Sequence, residues 1–290
     1  MERSFAILTD TGFDIIESTL EGRDIKEIPF SINFKDKSYF DKIEISKDEI
    51  YEMMERELPK TSASSVSILE NVLNEIVEKG IKDVLVMSIS SKLSGMHNMM
   101  RLVCEDYDNL NVRLIDTKNV SMASGMYLKY ALDLVDEGKS FDEVCDLVQK
   151  AVDENRAKLF VYFHSLDNMI KGGRISKLKG TLANILSLRP ILSMDDNGEF
   201  FVVKKVKKSK NDKNALDTLR ELAEKEIAGA KKYYISVGYT RVKENALQLE
   251  EAVSELKNNA NYYQVESISP TLGVHAGDQV YLLCMMVVER

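Results

Sequence analysis

The chain has 290 residues, 44% of them apolar, and 47 acids against 39 bases give a formal net charge of -8. That length buries one large core or two ordinary ones. The acidic balance excludes a globally basic nucleic-acid binder, whose affinity comes mostly from neutralising phosphates.

From the N-terminus, MERSFAILTD reaches Asp10 after a short apolar run, so no secretory signal is expected. FAILT, IPFSINF, VLVMSIS, VRLID and LFVYF then alternate with helical patterns, the signature of βαβ units around a buried parallel sheet. Ser46 with Glu49, Ser67 with Glu70 and Ser140 with Glu143 read as capping boxes that start helices. Ile68, Leu69, Val72, Leu73, Ile76 and Val77 share a helical face that stops at Gly80. Hydroxyl-rich turns follow or precede these elements: Thr9 to Asp14, Thr61 to Ser65, Ser88 to Gly95, and Asp116-Thr117. Such turns at the carboxyl ends of parallel strands present donors where ligands bind. The same hydroxyls equally serve to cap their own helices.

The second half reads differently. From His164 to Leu192 the chain sets a Gly-Gly-Arg turn between a strand and a helix, with Lys171, Arg174, Lys177, Lys179 and Arg189 and no acid after Asp167. From Lys171 to Lys213 there are eleven bases against four acids, a surface suited to an anionic partner. PILSM and FFVVKKV flank an Asn-Gly hairpin signal at Asn197-Gly198. Helical patterns around Ala215 to Ile227 and Val242 to Leu256 interleave with strands YYISVGY, YYQVESIS and VYLLCMMVV. The expected fold is therefore α/β: an N-terminal Rossmann-like parallel sheet with helices on both faces over 1–160, and an α+β unit over 161–290. Lys204 to Lys210 continue an edge strand, either to keep it from aggregating or to dock a partner. Val280 to Val288, the longest apolar run, falls short of the roughly 20 residues of a spanning helix, and a soluble protein is expected.

Cys104, Cys145 and Cys284 are odd in number and widely spaced, which fits thiols in a reducing cytosol. The chain lacks G-x-G-x-x-G, G-x-x-x-x-G-K-S/T and His-x-x-x-His, so neither a nucleotide cofactor nor a metal is expected. Of the three histidines, His97 and His164 read as structural. His275, between Gly273 and Gly277 ahead of the last strand, is the one placed to meet a ligand.

Five short pieces, in order, resemble the DegV family, the fatty-acid-binding subunits of a bacterial two-component fatty acid kinase. They are Asp10-Thr11-x-x-Asp14, Thr61-Ser62, Ser90-Ser91-Lys92-Leu93-Ser94-Gly95, Lys171-Gly172-Gly173-Arg174-Ile175-Ser176, and Gly273-Val274-His275. Met96, Ala63-Ser64 and Ala276 to Gln279 depart from the family's usual residues. The resemblance implies a two-domain DegV-like architecture with a long-chain fatty acid in a tunnel between the domains. It implies that Thr61, Ser62, Ser94 and His275 bind the carboxylate, and that Arg174 at the rim meets a partner kinase or phosphate. A non-catalytic cytoplasmic carrier follows, with the fatty acid as ligand, a fatty acid kinase catalytic subunit as partner, transient contact with an anionic membrane, and no nucleic acid. Two other readings stay open: a binder of another small metabolite on the same fold, and a hydrolase with Ser94 as nucleophile and His275 as base.

Overall fold

A strand buried along its whole length must be covered on both faces, and Phe5 to Asp10 is such a strand. The computed structural model describes residues 5–175, 178 and 188–290. Its strands are β1 (Phe5–Asp10), β2 (Ile25–Ile28), β3 (Ser31–Asn33), β4 (Ser38–Phe40), β5 (Lys60–Ser62), β6 (Asp83–Ser88), β7 (Asn111–Asp116), β8 (Ala157–Phe163), β9 (Leu188–Met194), β10 (Phe200–Lys207), β11 (Lys232–Tyr239), β12 (Tyr262–Ser267) and β13 (Val280–Glu289). The helices are α1 (Glu17–Leu20), α2 (Lys47–Met54), α3 (Val66–Glu78), α4 (Met96–Glu105), α5 (Met122–Asp136), α6 (Phe141–Asp153), α7 (Asp167–Lys171), α8 (Lys213–Ile227), α9 (Lys243–Ala252), α10 (Ser254–Asn258) and α11 (Pro270–Ala276).

The first sheet, in the order β2-β1-β6-β7, is parallel throughout. Helices α3 with α4 and α5 with α6 pack as pairs around it. The second sheet, β10-β9-β8-β13-β11-β12, is antiparallel except between β11 and β12. A small antiparallel sheet, β4-β3-β5, stands apart from both. Helix α5 is buried almost all round, as only a helix enclosed by protein can be. It packs on β8, β11 and β13 and on the turn after β1. One apolar cluster accordingly runs from Ile7 and Leu85 through Met126 to Val161 and Leu282. Alternate residues of the second sheet (Phe160, Ile235, Leu283) point away into a separate cluster with Leu219 of α8 and Leu249 of α9.

Several expectations need correction. LFVYF is not a fifth parallel strand: as β8 it pairs antiparallel with β13 and β9 in the second sheet. An apolar run buried on two faces has no period that reveals its direction. Residue 160 lies within β8. IPFSINF divides at Pro29, which has no N–H for a ladder, so β2 joins the parallel sheet and β3 the small one. The capping boxes at Ser46 and Ser140 form. That at Ser67 does not, because α3 starts two residues earlier with Ser65 at its N-cap. The Val242 to Leu256 pattern is broken at Val253, between α9 and α10. The Asn-Gly hairpin joins β9 to β10, with the Asp195 carboxylate accepting from Asn197 N and Glu199 N, both at 2.9 Å. No helix among the described residues is long and apolar enough to cross a membrane.

Candidate functional site

A cavity of about 300 Å³ lies between the two large sheets, within the range of small-molecule sites. Most of its wall is hydrocarbon: Leu159 and Val161 contribute from β8, Leu282 from β13, and Phe30, Ile89 and Val120 from loops. The polar groups gather at Thr61, Ser62, Ser94, Arg174 and His275. The five residues singled out by the resemblance thus line one cavity, from four separate stretches of chain. The small sheet, read from the sequence only as a strand and a turn, is what brings Thr61 there. Thr61 lies opposite Ile32 across the β3–β5 pair, and Asn33 Nδ2 donates to Ser62 Oγ at 3.2 Å.

His275 is not in a loop. Ser269 and Pro270 open α11, with proline at the first turn, and His275 is in its last turn. Its Nε2 lies 2.7 Å from Thr61 Oγ1, while Nδ1 has no hydrogen-bond partner among the described residues. Burial, and secondarily the Arg174 charge, push the imidazole down to about 4, so it is neutral near pH 7. Ser94 Oγ accepts from Met96 N, the first N–H of α4, at 3.1 Å, and still has its own proton to donate. The hydrolase arrangement is therefore not the one formed: His275 Nε2 belongs to Thr61, not Ser94.

The two glycines of the Gly-Gly-Arg turn have different tasks. A Cβ on Gly172 would lie 2.4 Å from His275 Nδ1, so only glycine lets α7 approach the imidazole. Gly173 has φ of +78°, where side chains are strained. The turn then aims Arg174 at the loop before α4, where Nε donates to Leu93 O at 3.2 Å and Nη1 to Gly172 O at 2.6 Å. Burial lowers the pKa of Arg174, and no carboxylate pairs with it among the described residues. On the outer side of His275 lies a second depression of about 370 Å³, which shares Thr61, Arg174 and His275 with the cavity. Lys60 and Lys171 line it and no acid does, a feature that sequence order hid because Lys60 precedes Lys171 by more than a hundred residues. Ser176, Lys177, Lys179 and the helix expected after the turn lie outside the described residues.

Other sequence candidates act as struts. Asp10 accepts from Gly12 N at 2.9 Å and Ile89 N at 2.8 Å. Asp14 accepts from Ser121 Oγ at 2.7 Å and from Ser269 N, at the start of α11, at 2.8 Å. Asp41, unnoticed in the sequence, accepts from Thr11 Oγ1 at 2.8 Å and Thr271 N at 3.3 Å. Ser90 Oγ donates to Gly198 O at 2.7 Å, fastening the β9–β10 hairpin. His97 bonds Ser88 Oγ at 2.9 Å, and His164 bonds Asp212 at 2.6 Å and Gln279 at 2.8 Å. Among the described residues no group of three or more His, Cys, Asp or Glu could hold a metal ion.

The family model described as "Uncharacterised protein, DegV family" matches residues 4–286. A DegV domain-containing protein of Clostridium acetobutylicum is 33% identical over 274 residues, covering 94% of this chain and 95% of its own. A solved fatty acid binding DegV family protein from Streptococcus agalactiae superposes with a TM-score of 0.87 at 25% identity, covering 97% of this chain and 98% of its own. A DegV lipid binding protein from Thermotoga maritima gives 0.84 at 25% identity, covering 99% of each chain.

Proposed function

Because this chain belongs to the DegV family, we propose that it encloses a long-chain fatty acid in the cytoplasm and presents the carboxylate to a separate ATP-dependent kinase, without catalysis of its own. The observation that carries this is the polarity of the cavity: hydrocarbon walls closed at one end by Thr61, Ser62, Ser94 and His275. The fatty acid binding of the Streptococcus agalactiae relative supports it. Each buried methylene is worth about 0.8 kcal/mol, or roughly 11 kcal/mol for a sixteen-carbon acid, so the head group has only to be oriented.

Orientation dictates a tautomer. A carboxylate only accepts, so Thr61 must donate to it, and the short Thr61–His275 bond must then be donated by Nε2–H. Nδ1 is left unprotonated against Gly172, where a bare acceptor costs less than an unpaired N–H would. Held by neutral hydroxyls, the carboxylate keeps its nucleophilicity. In the kinase step one of its oxygens bonds to the terminal phosphorus of the nucleotide, the bridging P–O bond breaks, and the nucleotide diphosphate leaves. The resulting acyl phosphate gains charge on the side of the outer depression, where Lys60, Lys171 and Arg174 face it. The same cations suit transient contact with an anionic membrane during exchange.

Mass spectrometry of ligand released from the purified protein should identify a long-chain acid. Delipidated protein that takes up neither palmitate nor oleate would refute the carrier reading. Arg174→Ala is expected to leave acid binding nearly intact and to impair phosphorylation by the partner; equal loss of both would refute its role in presentation.

A further inference from the structure

We infer that Gly238, which does not itself line the cavity, sets the cavity's width: it gives the Leu282 side chain room to lie aside, and the space so freed admits an acyl chain bent by a cis double bond. The inference rests on the fatty acid reading and specifies which acids the site takes.

Gly238 is buried in β11, which runs between β13 and β12 in the second sheet. Glycine weakens the interior of a strand and often marks a close approach. Its φ is not in the left-handed region, so the backbone there does not call for glycine. What calls for it is the neighbouring strand. Gly238 lies directly opposite Leu282 of β13, and a Cβ on it would lie 2.8 Å from both Cγ and Cδ1 of Leu282 and 3.1 Å from Met122 Cε. The leucine thus fills the room that a side chain on β11 would take.

Leu282 lines the cavity together with Val161, its partner on β8. Strands β8 and β11 flank β13 on opposite sides, so a leucine that lies over Gly238 leans away from Val161. The Phe163–Val280 pair adjoins the segments leading to α7 and from α11, at the carboxylate end, and the Val161–Leu282 pair is about 7 Å farther along the strands. It is therefore the middle of the acyl chain, not its head group, that passes Leu282. With alanine at 238 the leucine has to move. Met122, fully buried at the start of α5, closes one direction, interiors are close-packed, and the open space that Leu282 borders is the cavity. The displaced side chain narrows the passage opposite Val161, where a straight saturated chain passes more easily than one with a cis bend. A change of about a methylene in an apolar site discriminates about tenfold. Were Gly238 there for packing alone, its loss would lower stability and leave the relative affinities of the two acids unchanged.

The test titrates delipidated protein with palmitate and with cis-9-hexadecenoate, an acid of the same carbon number. The wild type should bind the two within about tenfold of each other. Gly238→Ala should cost the cis acid about tenfold more affinity than palmitate, and adding Leu282→Ala should abolish that difference. Leu282→Ala alone, which serves if Gly238→Ala does not fold, should shift the preference toward the cis acid. Equal changes for both acids in Gly238→Ala, or an unchanged preference in Leu282→Ala, would overturn the inference. Wild type that binds palmitate and excludes the cis acid would overturn it too, with the carrier reading intact. If neither acid binds the wild type, the carrier reading falls and this inference falls with it.

Discussion

Gly172→Ala is expected to weaken fatty acid binding about tenfold and to lower stability by about 1–3 kcal/mol. The new methyl carbon would sit 2.4 Å from His275 Nδ1 and 3.1 Å from Asn168 O. Neither neighbour is a loose side-chain end: the imidazole is tied to Thr61, and the carbonyl accepts from Gly172 N at 2.8 Å within the turn. The imidazole must tilt, Nε2 leaves Thr61, and the hydroxyl that should face the carboxylate loses its orientation. Gly173→Ala provides the contrast. Its +78° φ makes a side chain cost roughly 1–2 kcal/mol, so the loss of stability expected there is one of backbone strain. Thermal unfolding and calorimetric titration with palmitate separate the two effects. Unchanged palmitate affinity in Gly172→Ala would refute the proposed contact.

Asp10→Ala is expected to destabilise the protein by roughly 2–6 kcal/mol, because it strands two buried N–H donors at about 1–3 kcal/mol each. Those donors are Gly12 N and Ile89 N. The loss is a large part of the 5–15 kcal/mol typical of a folded domain. The same carboxyl leaves a pH signature. Burial pushes it up from 3.8 to about 7 against the pull of its two N–H bonds, so folding takes up a proton between those values. Its contribution to stability therefore weakens as pH rises from about 4 to 7 and is level above that. Asp41, pushed up to about 6 by burial, acts in the same direction. Denaturant unfolding across this window should show a shallower pH dependence in Asp10→Asn than in the wild type. Equal slopes would mean that Asp10 does not take up a proton on folding.

Much of this architecture is legible in residues taken a few at a time. A capping box is local, so Ser46 with Glu49 and Ser140 with Glu143 announce their helices. Ser67 with Glu70 has the same spacing and misleads, because Ser65, two residues upstream, holds the cap position. The Gly-Gly-Arg turn is conspicuous, but the separate tasks of its glycines depend on a histidine a hundred residues away. No helical pattern announces α11 around His275, because the helix is only seven residues long and contains Gly273. The Ser269-Pro270 start was the sign that could have shown a helix. Asp10 and Asp14 were visible as a motif, yet whether an aspartate meets a ligand or a backbone N–H is decided by partners such as Ile89 and Ser269, which no local pattern predicts.

Helix α5 has a consequence beyond the cavity. Two sheets of this size would ordinarily form two units of cooperativity, each able to melt alone. Because α5 is walled by the turn after β1 on one side and by β8, β11 and β13 on the other, withdrawing either half exposes its buried residues from Met122 to Leu134. The chain should therefore unfold in a single calorimetric transition. The amides of α5 should be among the slowest to exchange with solvent, since they open only when the whole molecule does.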